Sequence, residues 1–296
     1  MNASSVGHRG RFAPSPSGRL HFGSLVAALG SWLRARASGG RWIVRMEDLD
    51  RAREVSGAAT DILETLSAFG LESDEPVVFQ SQRGDLYAQA FALLESRGLV
   101  YPCACSRSDL TAHGGIHPAR CVANPTKGQH PPSWRLRVGS EVISFDDPVC
   151  GRQTQVLAEH VGDFVLRRAD GQFTYQLAVV IDDADQGINE IVRGADLLDS
   201  TPRQIFLQRL LQLPEPAYMH LPLALDELGR KLSKHDQARP VDSSDPAPAL
   251  KTALAFLGQR VPATGNIDAL LREAVEHFDI RGIRYSVPFD AAMQKD

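Results

Sequence analysis

The chain is short of the features that mark several classes of protein. No apolar run approaches the roughly 18 residues that a membrane-spanning helix needs, so no membrane crossing is predicted. Met1 to Arg11 does not show the charged-then-apolar layout of a secretory signal, and four cysteines in 296 residues are too few for a disulfide-stapled scaffold. These absences place the chain, as an expectation, in the reducing cytoplasm. Positive charge is not in excess: 32 Lys and Arg face 36 Asp and Glu, a net charge of -4. A polyanion would therefore have to meet a local patch. Lysine is scarce, five against 27 arginines, a bias compatible with phosphate recognition and equally with GC-rich coding. There is no internal repeat, no low-complexity tract, and no Ser-His-Asp order that would suggest covalent or hydrolytic catalysis.

What is present is the alternation of strand and helix expected of a parallel sheet covered by helices, an α/β fold. A strand near Gly10 to Ala13 leads through Pro14, Pro16 and Gly18 into a helix of about four turns with an apolar stripe of Leu25, Val26, Leu29 and Leu33, stopped by Gly39 and Gly40. Arg41 to Met46 reads as a strand. Val55, Ile62, Leu63, Leu66 and Phe69 predict a second helix, and Leu86, Ala90, Leu93 and Leu94 a third. From Tyr101 to Asp147 three cysteines, three histidines and several prolines interrupt the pattern like an inserted module. Alternation resumes through Phe164 to Arg168, Leu177 to Ile181 and Glu190 to Arg193. A helix then follows, with Ser200 as candidate N-cap and Pro202 in its first turn. Two helical patterns, Ala247 to Leu257 and Ile267 to Phe278, fill the tail. The expected organisation is a first half-domain over 1–100, an insert over 101–160, a second half-domain over 161–240 and a short helical tail over 241–296.

Two motifs carry chemistry. His21-Phe22-Gly23-Ser24 sits where the first loop enters its helix. There backbone N–H groups and the helix dipole favour an anion, His21 can donate to a phosphate, and Gly23 lets a nucleotide approach the backbone. Lys231-Leu232-Ser233-Lys234-His235 places two ammonium groups three residues apart, suited to charge developing on a triphosphate during displacement at the α-phosphorus. In the insert, Cys103, Cys105, His117 and Cys121 have the spacing of a closed tetrahedral Zn²⁺ set, which would fold a small module rather than activate water. Reduced structural cysteines beside a surface histidine are the alternative. His113 is the substitute ligand for His117, and Cys150 falls outside the spacing as a core thiol. Arg107, Arg120, Lys127, Arg135 and Arg137 oppose only Asp109 between Tyr101 and Gly139, a local patch on which a phosphate backbone could dock.

The two motifs and their order resemble the class I aminoacyl-tRNA synthetases. Four separated blocks, Gly10 to Gly18, Arg45 to Asp50, Val192 to Leu198 and Arg203-Gln204, are similar to the glutamyl group within them. Both motifs depart from the family pattern: Ser24 stands where many members have a second His or an Asn, and His235 where Ser is usual. The resemblance implies a Rossmann-like catalytic domain, ATP as substrate with Mg²⁺, and direct displacement by the α-carboxylate of L-glutamate. His21, Lys231 and Lys234 would be catalytic, with Gly23, Ser24 and Ser233 also binding ATP. Arg11 and Arg193 would hold carboxylates, Ser15 would add a hydroxyl, Glu47 would take the α-ammonium and Tyr175 would bound the pocket. Only 61 residues follow His235, too few for the helical domain with which relatives read an anticodon. Together with the zinc cluster, this resembles the glutamyl-queuosine tRNA(Asp) synthetase subgroup, some of whose members have Tyr at the position of His117. The expected partner is then tRNA(Asp) bearing queuosine, bound by a monomer through RNA shape, phosphates and a splayed base. A truncated enzyme charging a tRNA 3′ end and a non-catalytic tRNA-binding paralogue are the alternatives. A nucleotidyltransferase would leave the glutamate pocket unexplained.

Overall fold

The computed structural model describes residues 7–118, 131–224 and 239–285. Strand β1 (Arg9–Phe12) opens the chain, followed by helix α1 (Phe22–Ala37), β2 (Arg41–Met46), α2 (Ala58–Ala68), β3 (Val78–Phe79) and α3 (Gly84–Ser96). The stretch expected as an insert carries β4 (Val100–Cys103), α4 (Arg107–Leu110), β5 (Ser133–Leu136), β6 (Val142–Asp147), β7 (Gly151–Val156) and α5 (Leu157–His160), and β8 (Phe164–Arg167) follows it. The second half comprises α6 (Tyr175–Asp185), β9 (Glu190–Gly194), α7 (Thr201–Leu211) and β10 (Ala217–Leu221). Helices α8 (Pro246–Phe256) and α9 (Ile267–Glu276) follow.

The parallel strands form two groups, β1-β2-β3 and β9-β10. They meet where Asn189 N–H donates to Arg9 O and Asn189 Oδ1 accepts from Arg9 N–H, giving the order β3-β2-β1-β9-β10. The order reverses between β1 and β9, and in such sheets the crevice beyond the carboxyl ends of the strands receives ligands. Leu25, Leu29 and Leu33 of α1 pack with Trp42, Leu254 and Leu270 on one face. Tyr87, Leu94, Leu177 and Leu207 pack on the other. Helices α8 and α9 share the first core, with Phe256 edge-on to Phe22 at 5.7 Å. Gly30 lets α1 come close to β10: a Cβ there would lie 2.5 Å from Leu221 Cδ1.

Strands β4, β5 and β8 make an antiparallel sheet, so the stretch expected as an insert pairs with a strand beyond residue 160, and β6-β7 form a hairpin. Three local readings change. Val55 lies ahead of α2, half exposed, with its N–H on Pro16 O, because Gly57 in the left-handed region precedes the helix. The buried stripe of α3 is Tyr87, Phe91 and Leu94, and Leu93 turns outward. Ser200 precedes α7 without a side-chain capping bond, because a 3-10 turn over Ala195–Ser200 already continues into the helix.

Candidate active site

The ends of four parallel strands converge on one region. A cleft of about 500 Å³ is lined by Ser15, His21, Gly23 and Ser24 from the β1–α1 connection, and by Gly194, Pro222, Leu223 and Ala224 at the ends of β9 and β10. His21 caps α1: its Nδ1 accepts from Ser24 N–H at 3.2 Å, and Ser24 Oγ lies 3.1 Å from Nε2. The Lys231, Ser233 and Lys234 side chains lie outside the described residues, as does His235. The described flanks of that segment nonetheless reach the cleft. Ala224 lines it, Pro240 forms a bridge with His21, and Val241 N–H donates to Leu20 O.

Arg11 and Arg193 stand one residue before Phe12 and Gly194, which line the cleft, and both are buried. Arg11 is not left open: its Nε and Nη2 pair with Asp183 of α6 at 3.1 and 3.4 Å. Arg45, fully buried, reaches Asp183 at 2.8 Å, Gln186 Oε1 at 2.7 Å, and lies 3.6 Å from Glu47 Oε1. Burial would raise the Asp183 carboxyl, but Arg11 and Arg45 outweigh it and hold it below the ordinary range. Glu47 behaves oppositely. Burial pushes its pKa up to about 7 despite Arg45 and Arg11, and among the described residues its buried Oε1 has no hydrogen-bond partner.

Arg193 is held on three sides. Its Nε donates to His220 Nε2 at 3.2 Å, its Nη1 to Tyr175 Oη at 3.2 Å, and its Nη2 to Thr201 Oγ1 at 2.7 Å. Burial raises the Tyr175 phenol, which also feels Arg193, Glu47 and Arg11, so the four groups share one charged neighbourhood. Of the expected glutamate-binding residues, the fold thus gathers Arg11, Glu47, Tyr175 and Arg193, with Ser15 in the adjoining cleft. Arg45, Asp183, His220 and Asp147 join the site only through the fold. One signal was available: two adjacent acids, Asp182 and Asp183, directly follow the apolar run from Leu177 to Ile181.

In the insert, Cys103, Cys105 and His117 bring one ligand atom each to within 4.8 Å of one another, all three residues buried. His117 Nε2 lies 3.2 Å from Cys103 Sγ, while its Nδ1 lies 3.2 Å from the Tyr101 hydroxyl, which donates to Asp163 at 2.6 Å. Tetrahedral zinc needs thiolate and imidazole donors roughly 3.5–4 Å apart, with the second ring nitrogen tied to an acceptor. The three residues supply that donor set and the tied second nitrogen, with Cys103 and His117 drawn closer, at 3.2 Å, than two ligands of one ion stand. Cys121 lies outside the described residues, and His113 is not part of the group. Cys150 is half-buried with its thiol pushed up to about 12, first by burial and then by Asp147. The basic patch is smaller than its sequence. Arg135 is buried and donates to Asp163 O, whereas Arg137 is exposed and stacks over Tyr101 at 4.3 Å. Arg120 and Lys127 lie outside the described residues.

These observations define a class I synthetase body, and residues 8–258 match the family model for the catalytic domain of tRNA synthetases class I (E and Q). The chain belongs to that family. A glutamyl-Q tRNA(Asp) synthetase from Xanthomonas campestris is 52% identical over 297 residues, covering 99% of both chains. One from Dechloromonas aromatica is 55% identical over 263 residues, covering 86% of this chain and 87% of its own. A crystal structure of a glutamate tRNA ligase from Elizabethkingia meningosepticum, in complex with its amino acid, superposes with a TM-score of 0.80 at 26% identity. It matches 98% of this chain and 68% of that one.

Proposed function

We propose that the protein activates L-glutamate with ATP to glutamyl-adenylate and transfers the glutamate to queuosine in the anticodon of tRNA(Asp). The observation that carries the amino-acid half is Glu47. A buried carboxylate oxygen without a hydrogen bond is costly, and the α-ammonium of an amino acid is the cation that satisfies it. Arg193 and Arg11 supply the positive charge for two carboxylates, Ser15 a hydroxyl, and Tyr175 a wall. The nucleotide would lie in the adjoining cleft, its phosphates met by His21, Gly23 and Ser24 on one side and by Lys231, Ser233 and Lys234 on the other, with Mg²⁺ neutralising phosphate charge.

A glutamate α-carboxylate oxygen forms the new bond to the α-phosphorus as the bond to pyrophosphate breaks. A hydroxyl of the queuosine cyclopentenediol then attacks the acyl carbon, loses its proton, and AMP leaves. Positioning and charge neutralisation supply the acceleration. The relatives named for glutamyl-Q tRNA(Asp) support the choice of acceptor. Zinc, held by Cys103, Cys105, His117 and Cys121, would fasten the insert and take no part in the chemistry.

Glutamate-dependent exchange of labelled pyrophosphate into ATP tests the first step. The proposal requires exchange by the wild type and its loss in Lys234→Ala with the fold intact. A chain that binds tRNA but exchanges nothing would be the non-catalytic alternative.

A further inference from the structure

We infer that His220, held in one tautomer by Asp147, is a positioning residue that orients Arg193 for a glutamate carboxylate without cancelling its charge. The inference rests on the proposed glutamate site. A guanidinium only donates, so the nitrogen that faces Arg193 Nε at 3.2 Å, His220 Nε2, presents a lone pair. The ring proton therefore sits on Nδ1, 2.7 Å from Asp147 Oδ2. That carboxylate is saturated: Oδ2 also accepts His220 N–H at 2.9 Å, and Oδ1 accepts Val149 and Cys150 N–H at 2.8 Å each. Side chains of His220 and Asp147 are fully buried, so neither is free to reorient.

The charged or titratable groups facing His220 are Asp147 from β6, Arg193 from β9 and Arg11 from β1. The Tyr218 ring stacks at 6.3 Å, the Phe145 ring is tilted at 6.3 Å, and the Cys150 thiol lies against the His220 carbonyl. Burial and Arg193 hold the imidazole below its usual pKa, against the pull of Asp147.

The two pocket arginines are therefore held differently. Arg11 is paired directly with a carboxylate, which competes with any substrate carboxylate for the same fork. Arg193 meets a hydroxyl, a phenol and an imidazole, with its counter-charge one ring further away. A neutral acceptor fixes the guanidinium plane and leaves its charge for the ligand. The residue reaching in from the inserted hairpin, Asp147, sets the tautomer in the manner of a carboxylate behind a ligating histidine.

The test uses the full chain in glutamate-dependent pyrophosphate exchange. His220→Leu, which keeps bulk and loses the acceptor, should raise the glutamate KM by about tenfold or more, with the ATP KM and kcat within about twofold. His220→Gln, whose amide oxygen can stand where Nε2 stands, should recover most of the loss. A ¹⁵N spectrum of the unaltered protein should show a protonated Nδ1 and a bare Nε2. An unchanged glutamate KM in His220→Leu, an equal fall in all parameters, or an Nε2-protonated or doubly protonated ring would overturn the inference. Failure of the wild type to exchange at all would overturn the underlying glutamate reading as well, and so is told apart from failure of this step.

Discussion

Arg11 grips Asp183 through two nitrogens, Nε at 3.1 Å and Nη2 at 3.4 Å, and both side chains are only 3% exposed. The same carboxylate takes Arg45 Nη2 at 2.8 Å, so one acid on α6 ties together the neighbouring strands β1 and β2 where the pocket begins. A buried ion pair adds little over an apolar substitute, but removing one partner strands the other.

Asp183→Asn should accordingly destabilise the protein by about 3–5 kcal/mol, since two buried guanidinium groups lose their shared counter-charge. Urea unfolding measures it. A loss below about 1 kcal/mol would mean that Asp182 and Glu47 compensate.

Glu47 should trade stability for binding. Its folded pKa is raised from the ordinary 4.5 to about 7, with burial the leading cause. The folded state therefore holds this proton more tightly than the unfolded chain, and ionisation penalises folding increasingly as pH rises from about 4.5 to about 7. Glu47→Gln should raise Tm above pH 7 and converge with the wild type below pH 4.5, while abolishing glutamate-dependent exchange. In the wild type, the glutamate KM should rise as pH falls through about 7, because the α-ammonium needs the ionised carboxylate. Thermal melts and exchange kinetics across pH 5–8.5 check both signs.

Cys103→Ala should lose about one equivalent of zinc together with several kcal/mol of stability, and chelation of the unaltered protein should do the same. Metal analysis with calorimetry reads both. Lys234→Ala should keep its metal and its melting temperature, separating the insert from the chemistry.

Gly162 has φ of +65°, and a Cβ there would lie 2.2 Å from His117 O. Gly162→Ala should therefore destabilise by more than about 1 kcal/mol and displace His117, shortening the half-life of metal retention under chelator. Equal retention in both proteins would show that His117 is positioned by other contacts.

The parallel half of the fold was legible because its periodicities are unambiguous: Leu25, Leu29 and Leu33 could only be one helical face, and all three are fully buried. Errors came where local pattern lost to neighbours, as at Val55 before a left-handed Gly57 and at Leu93 beside the better-packed Tyr87 and Phe91. Of the candidate site, Arg11, Glu47, Tyr175 and Arg193 could be named from strand ends and family blocks. The groups that hold them could not. Asp183 meets Arg11 across 172 residues of chain, and Asp147 reaches His220 from an inserted hairpin 73 residues away. No spacing rule carries pairs of that separation.

Transfer to queuosine is decided by the acceptor atom, which the position of the label identifies. The enzyme would be incubated with ATP, labelled glutamate and tRNA(Asp) with and without queuosine, and the RNA fragmented by ribonuclease. Label should appear in the anticodon fragment of the queuosine-containing tRNA alone. Label on the 3′-terminal adenosine, or equal label on tRNA without queuosine, would contradict that transfer.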